Sequence, residues 1–231
     1  MTDPITIVLA DDHMLVREGL KKILQADSQF KVVGEAENGR AVVELVRQLQ
    51  PMVVLMDIAM PLLNGIEATR QILKSLPTTR ILILSAHCDD VYLEHLNELG
   101  VAGYVLKHTS SQVLGEAIHQ IAKGEKFFEP SVSRRLRNES DKTHLSNLSP
   151  REVEVLQLIA EGEANKQIAS ELNISIKTVE KHRQNVMNKL RIHDTAGLTR
   201  YAIGAGIIES SVQGTVIHPP HSQVRRSHAG M

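Results

Sequence analysis

Five short apolar runs, each separated by about the length of one helix, constrain this chain more than any other feature. They lie at 5–10, 31–36, 52–56, 81–84 and 103–106. Between them, Val16, Leu20, Ile23 and Leu24, then Val42, Val43, Val46 and Leu49, recur at helical spacing. Strand and helix therefore alternate, and short connections leave little choice but a parallel sheet with helices on both faces. The first, third and fourth runs are almost wholly apolar, as strands covered on both sides must be.

The third run raises a question of its own. MVVLMDIAMP is a buried strand that ends on a carboxylate, Asp57, and a buried Asp is costly unless paired, hydrogen-bonded or bound to metal. The other strand ends supply the partners. Asp11 and Asp12 follow strand one, Ser85 ends strand four and Lys107 follows strand five. In a doubly wound, flavodoxin-like five-stranded sheet of order 2-1-3-4-5 these strands are neighbours, and ligands bind outside their carboxyl ends. Clustered carboxylates call for a hard cation such as Mg²⁺. A lysine and a hydroxyl opposite it suit an oxyanion such as a phosphoryl group. Asp57, central among them, is placed to be a nucleophile toward phosphorus. Taken singly, each residue has a blander reading as a cap, a turn or a solvated surface group. Their meeting at four strand ends favours the site.

Composition removes other classes. Hydrophobic residues make up 42% and charged residues 23% of 231, ordinary values for a soluble protein. No apolar stretch reaches the roughly 20 residues of a membrane span, and the N-terminus lacks the basic and apolar regions of a signal peptide. A lone cysteine, Cys88, permits no internal disulfide. These features point to the cytoplasm and away from membranes. Acidic side chains outnumber basic ones over 1–127 and nearly balance them over 145–206, so any basic surface has to be local.

The motifs IVLADDH, VVLMDIAMPLLNGIEA, ILILSAH and GYVLK resemble those of the two-component response regulator receiver domain, over residues 5–124. The resemblance implies that Asp57 is the phosphoacceptor, that Asp12 binds Mg²⁺ directly and Asp11 through water, and that the Ala59 carbonyl completes the protein ligands. It implies that Ser85 and the Ala86 amide meet the phosphoryl group, that Lys107 is its counter-ion, and that Tyr104, with Ser85, is a switch. Many receivers carry Pro after the lysine; here His108 follows Lys107.

After a segment rich in Ser, Asn and charge, at 125–147, a second unit begins. Ser149, Pro150 and Glu152 form an S-x-x-E capping box with Pro at the first helical position. A short helix over 165–172, a turn at 173–175 and a helix over 176–191 follow, the last capped by Ser175. On that helix Val179, His182, Val186 and Leu190 share one face, while Lys177, Lys181, Gln184 and Asn188 share the other. Cations and amides on one face suit a DNA major groove, although a merely solvated face is built from the same residues. The segment LSPREVEVLQLIAEGEANKQIASELNISIKTVEKHRQNVMNKL resembles the LuxR-type helix–turn–helix, which favours DNA. Lys181 and Gln184 are then expected to read bases, with Lys166, Lys177 and Thr178 on the phosphate backbone.

A receiver joined to this unit is similar to the NarL/FixJ class of response regulators. The expected organisation is a receiver over 1–124, a linker over 125–147, an all-α four-helix DNA-binding domain over 148–210 and a disordered tail over 211–231. The implied partners are a sensor histidine kinase, double-stranded promoter DNA, RNA polymerase and a second copy of the chain, paired through the receiver or a fourth helix over 194–205. The competing reading is an aspartate-nucleophile phosphatase. Such enzymes place the nucleophile in a D-x-D motif after strand one, whereas here that strand ends D-D-H, and the helix–turn–helix would be left without a purpose.

Overall fold

The computed structural model describes residues 3–86, 96, 99–130, 132–133 and 148–208. The N-terminal part comprises β1 (Ile5–Ala10), α1 (Met14–Gln25), β2 (Phe30–Ala36), α2 (Gly39–Leu49), β3 (Val53–Asp57), α3 (Gly65–Ser75), β4 (Arg80–Ser85), β5 (Gly103–Leu106), α4 (Ser111–Ala122) and β6 (Phe127–Phe128). The sheet is parallel, in the order β2-β1-β3-β4-β5-β6. The expected order 2-1-3-4-5 is present, with one strand added. Phe127 and Phe128, within the segment read as linker, pair with Gly103 and Tyr104. A helical turn follows in which Val132, fully buried, packs on the core of this N-terminal part. The connection between β4 and β5 lies mostly outside the described residues, as do 134–147 and the tail with its histidines.

Successive strand residues point to opposite faces, and the wholly apolar runs feed two cores. Ile7, Leu9, Leu55, Leu82 and Val105 pack with Leu114, Ile118 and Ile121 of α4. Val8, Val54, Met56, Ile83 and Tyr104 pack with Val42, Val46 and Ile72 of α2 and α3. Each such side chain, fully buried, contributes about 1.5–3 kcal/mol. Polar caps set where the helices begin: Asn38, Asn64 and Ser110 accept from the amides of Ala41, Glu67 and Val113.

The second unit contains α5 (Pro150–Ala160), α6 (Asn165–Glu171), α7 (Ile176–Leu190) and α8 (Thr195–Gly204). The Ser149–Glu152 capping box is formed in both directions, and Ser175 caps α7 through the Thr178 amide. After α5 the chain reverses at Gly162, whose φ of +92° a side chain would strain. Val155, Leu156, Ile159, Ile168, Val179, Val186, Leu198 and Ala202 form a separate core.

Candidate functional site

The carboxyl edge of the sheet gathers the expected polar side chains. Asp57, 2% exposed, ends β3. Its Oδ1 accepts from the Ile58 amide at 2.8 Å and its Oδ2 meets Lys107 Nζ at 2.8 Å. The same ammonium lies 2.9 Å from Asp11 Oδ2. Burial works against the charge on Lys107, but Asp57 and then Asp11 outweigh it, so the amine stays protonated above the ordinary lysine value. Asp11 is almost fully buried and Asp12 more open. Ser85, buried at the end of β4, carries the carbonyl that accepts from the Lys107 amide at 2.8 Å. Ala86 beside it is exposed and Tyr104 wholly buried. With His108 after Lys107, the chain turns through a Thr109-to-Leu106 hydrogen bond of 2.9 Å into α4.

The loop after Asp57 is drawn tight against the sheet. Gly65 donates to the Ile58 carbonyl at 2.7 Å, and a Cβ there would collide with the Asp57 carbonyl. Asp57 and the Ala59 backbone are therefore held by the start of α3.

Asp11, Asp12, His13 and Asp57 each offer a ligand atom, all within 4.8 Å of one another. Asp11 Oδ2 is buried, with the Lys107 ammonium as its partner at 2.9 Å. Hard carboxylate oxygens gathered this closely fit Mg²⁺ chemistry. His13 is the member that sequence reasoning passed over. The signal was present in IVLADDH, directly after the two aspartates.

On α7, Lys177, Lys181, Gln184 and Asn188 are exposed, as is Lys166 on α6, while Thr178 is half-buried. Gln184 Nε2 donates to Asn188 Oδ1 at 3.0 Å, tying two of the amides together along the outer face. Val179 and Val186 are buried on the inner face. His182, on that same face, has a buried Nδ1 with no hydrogen-bond partner among the described residues.

Residues 7–119 match the response regulator receiver domain, and residues 146–202 match the bacterial regulatory proteins of the luxR family. The transcriptional regulatory protein DegU of Brevibacillus brevis is 40% identical, over 82% of this chain and 89% of its own. The chain is a response regulator of the NarL/FixJ class. The response regulator protein VraR of Staphylococcus aureus is 36% identical, over 89% of this chain and 99% of its own. Among solved structures, RcsB from Salmonella enterica serovar Typhimurium, bound to promoter rprA with the phosphomimetic BeF₃⁻, matches 86% of this regulator and 98% of that chain. Its TM-score is 0.59 and its identity 30%. No helix among the described residues is long and apolar enough to cross a membrane.

The two halves of the regulator meet beside the loop that follows Asp57, a junction the sequence did not disclose. Gln157 of α5, with no exposed surface, donates to the Met60 carbonyl and accepts from the Asn64 amide, both at 2.9 Å. Leu62, at φ +67°, packs against the core of the helical unit. Arg40 at the start of α2 lies 2.7 Å from Glu171 of α6, and Gln71 of α3 donates to Glu154 at 3.3 Å. Periodicity marks Glu154 and Gln157 as polar positions on α5. It carries no sign that another domain, rather than water, covers them.

Proposed function

We propose that this response regulator is a transcription factor switched by phosphorylation of Asp57, with a sensor histidine kinase as donor. The observation that carries the reading is the Lys107 ammonium held between Asp57 and Asp11, at the edge where Ser85 also lies. An Asp57 carboxylate oxygen attacks the phosphorus of the kinase phosphohistidine. The O–P bond forms as the P–N bond breaks, and the departing imidazole takes up a proton. The Ile58 amide and Lys107 orient the nucleophile. Lys107, with Ser85 and the Ala86 amide, receives the equatorial oxygens. Asp11, Asp12, Asp57 and the Ala59 carbonyl would hold Mg²⁺, which when bound neutralises charge on the transferred group. Slow self-dephosphorylation would return the domain to its starting state.

The output half reads DNA through the exposed face of α7. Lys181 and Gln184 address base edges, Asn188 extends that face, and Lys166, Lys177 and Thr178 address phosphates. One such helix spans few base pairs, so two copies are needed, paired through the receiver or through α8, on half-sites about one helical turn apart. Phosphorylation shifts monomers toward that pair, with Ser85 turning to the phosphoryl group and Tyr104 following. RNA polymerase is the downstream partner at the promoter. The test is radiolabel transfer from a small phosphodonor with Mg²⁺. Wild type is expected to be labelled and Asp57→Ala unlabelled; stable label in Asp57→Ala would overturn the assignment.

A further inference from the structure

We propose that His13 is an additional cation ligand, one that gives the acidic pocket a preference for divalent transition ions over Mg²⁺. This rests on the reading of Asp11, Asp12 and Asp57 as a cation site. His13 Nδ1 lies 2.7 Å from Asp12 Oδ1 and 3.3 Å from Asp11 Oδ1. A six-coordinate cation with bonds near 2.1 Å places adjacent ligand atoms about 3 Å apart. The two distances straddle that value, so the imidazole nitrogen stands where a neighbouring ligand would stand.

The backbone keeps it there. His13 occupies the N-cap of α1, with φ −84° and ψ 107°. Its amide donates to Asp11 Oδ1 at 2.8 Å, and its carbonyl accepts from the amides of Val16 and Arg17, both at 3.1 Å. These bonds fix the backbone of His13 beside the carboxylates, within reach of its side chain. Position and residue type also disagree. An N-cap favours Ser, Thr, Asp or Asn, whose oxygens bond the helix amides, and the His13 side chain makes no such bond. The local role usual at this position is therefore not its role. About half of the side chain is exposed, which leaves the ring able to turn toward an arriving ion.

The donor set decides which ion benefits. Carboxylate and carbonyl oxygens suit Mg²⁺, whereas imidazole suits transition ions. Mg²⁺ retains water in preference to nitrogen. Mn²⁺ accepts mixed nitrogen and oxygen ligands, and the neutral imidazole replaces one of its waters.

Mn²⁺ tests this on the full chain. Electron spin-echo spectroscopy of wild-type protein with substoichiometric Mn²⁺ should show ¹⁴N modulation, changing to the ¹⁵N pattern when histidine is ¹⁵N-labelled. The modulation should vanish in His13→Ala and His13→Gln. Calorimetry should show both variants binding Mn²⁺ about tenfold more weakly, with Mg²⁺ affinity changed less than twofold. Mn²⁺ bound without nitrogen modulation, or bound equally by the variants, overturns the proposal while leaving the cation site intact; His13 is then only a surface partner of Asp12. If wild type binds neither ion, the cation-site reading falls, and this proposal with it.

Discussion

Gln157 and Asn64 are joined across the two domains: the buried amide oxygen of the first accepts from the backbone N–H of the second at 2.9 Å. Asn64 is also the residue whose side chain caps α3, so the output domain grips the receiver where the loop after Asp57 becomes helix. Gln157→Ala strands the Asn64 amide and the Met60 carbonyl and should cost about 1–3 kcal/mol for each group left unpaired. Native-state hydrogen exchange should show the Asn64 amide losing protection in the variant. Unchanged protection there would mean that the junction does not persist in solution.

Two glycines should respond in opposite directions. Gly65→Ala drives a methyl group into the Asp57 carbonyl and should destabilise by about 1–3 kcal/mol, lowering phosphoryl incorporation as Asp57 moves. Gly19, inside α1, has nothing within 4 Å of an added Cβ. Gly19→Ala should stabilise by about 0.5–1 kcal/mol. Denaturant midpoints of the two variants, measured beside wild type, check both signs.

Acid should loosen the helical unit through Glu152. Burial pushes its carboxyl upward, but Lys189 at 2.6 Å and Ser149 outweigh that and hold it below the ordinary 4.5. A depressed folded-state value means that the stabilisation is present above 4.5 and is lost as pH falls through the folded value. Glu152→Gln should be less stable at neutral pH and show a flatter acid limb. Thermal melts followed from neutral pH down through the carboxylate range would reveal a parallel fall if this is wrong.

DNA binding should separate two kinds of lysine. Lys181→Ala should relax preference by roughly 1–3 kcal/mol at one position of each half-site. Lys166→Ala should weaken all sequences alike and reduce the salt dependence. Salt titrations on matched and mutated promoter fragments distinguish the two. An unchanged half-site preference in Lys181→Ala would mean that another face of α7 enters the groove.

The sheet was legible because a parallel strand buried on both faces leaves an unbroken apolar run, and Ile5–Ala10 and Val53–Asp57 are such runs. The polar edge was legible because each chemistry-bearing residue comes directly after its strand. The Ser149 box was legible because capping is local. β6 escaped notice because two phenylalanines carry no period. The junction escaped for a different reason. Glu154 and Gln157 look like solvent-facing polar residues, and the partners that cover them, Gln71, Met60 and Asn64, are some eighty to a hundred residues away in the chain.

The position of Leu62 restricts how such a protein can be rebuilt. Its side chain packs against the core of the other domain, so the loop after Asp57 and α5 are two halves of one fitted surface. A chimera that joins this receiver to a foreign DNA-binding unit keeps every residue of the acidic pocket yet loses the fit around Met60, Leu62 and Asn64. Grafting Glu154 and Gln157 into the foreign unit would carry the matching half over.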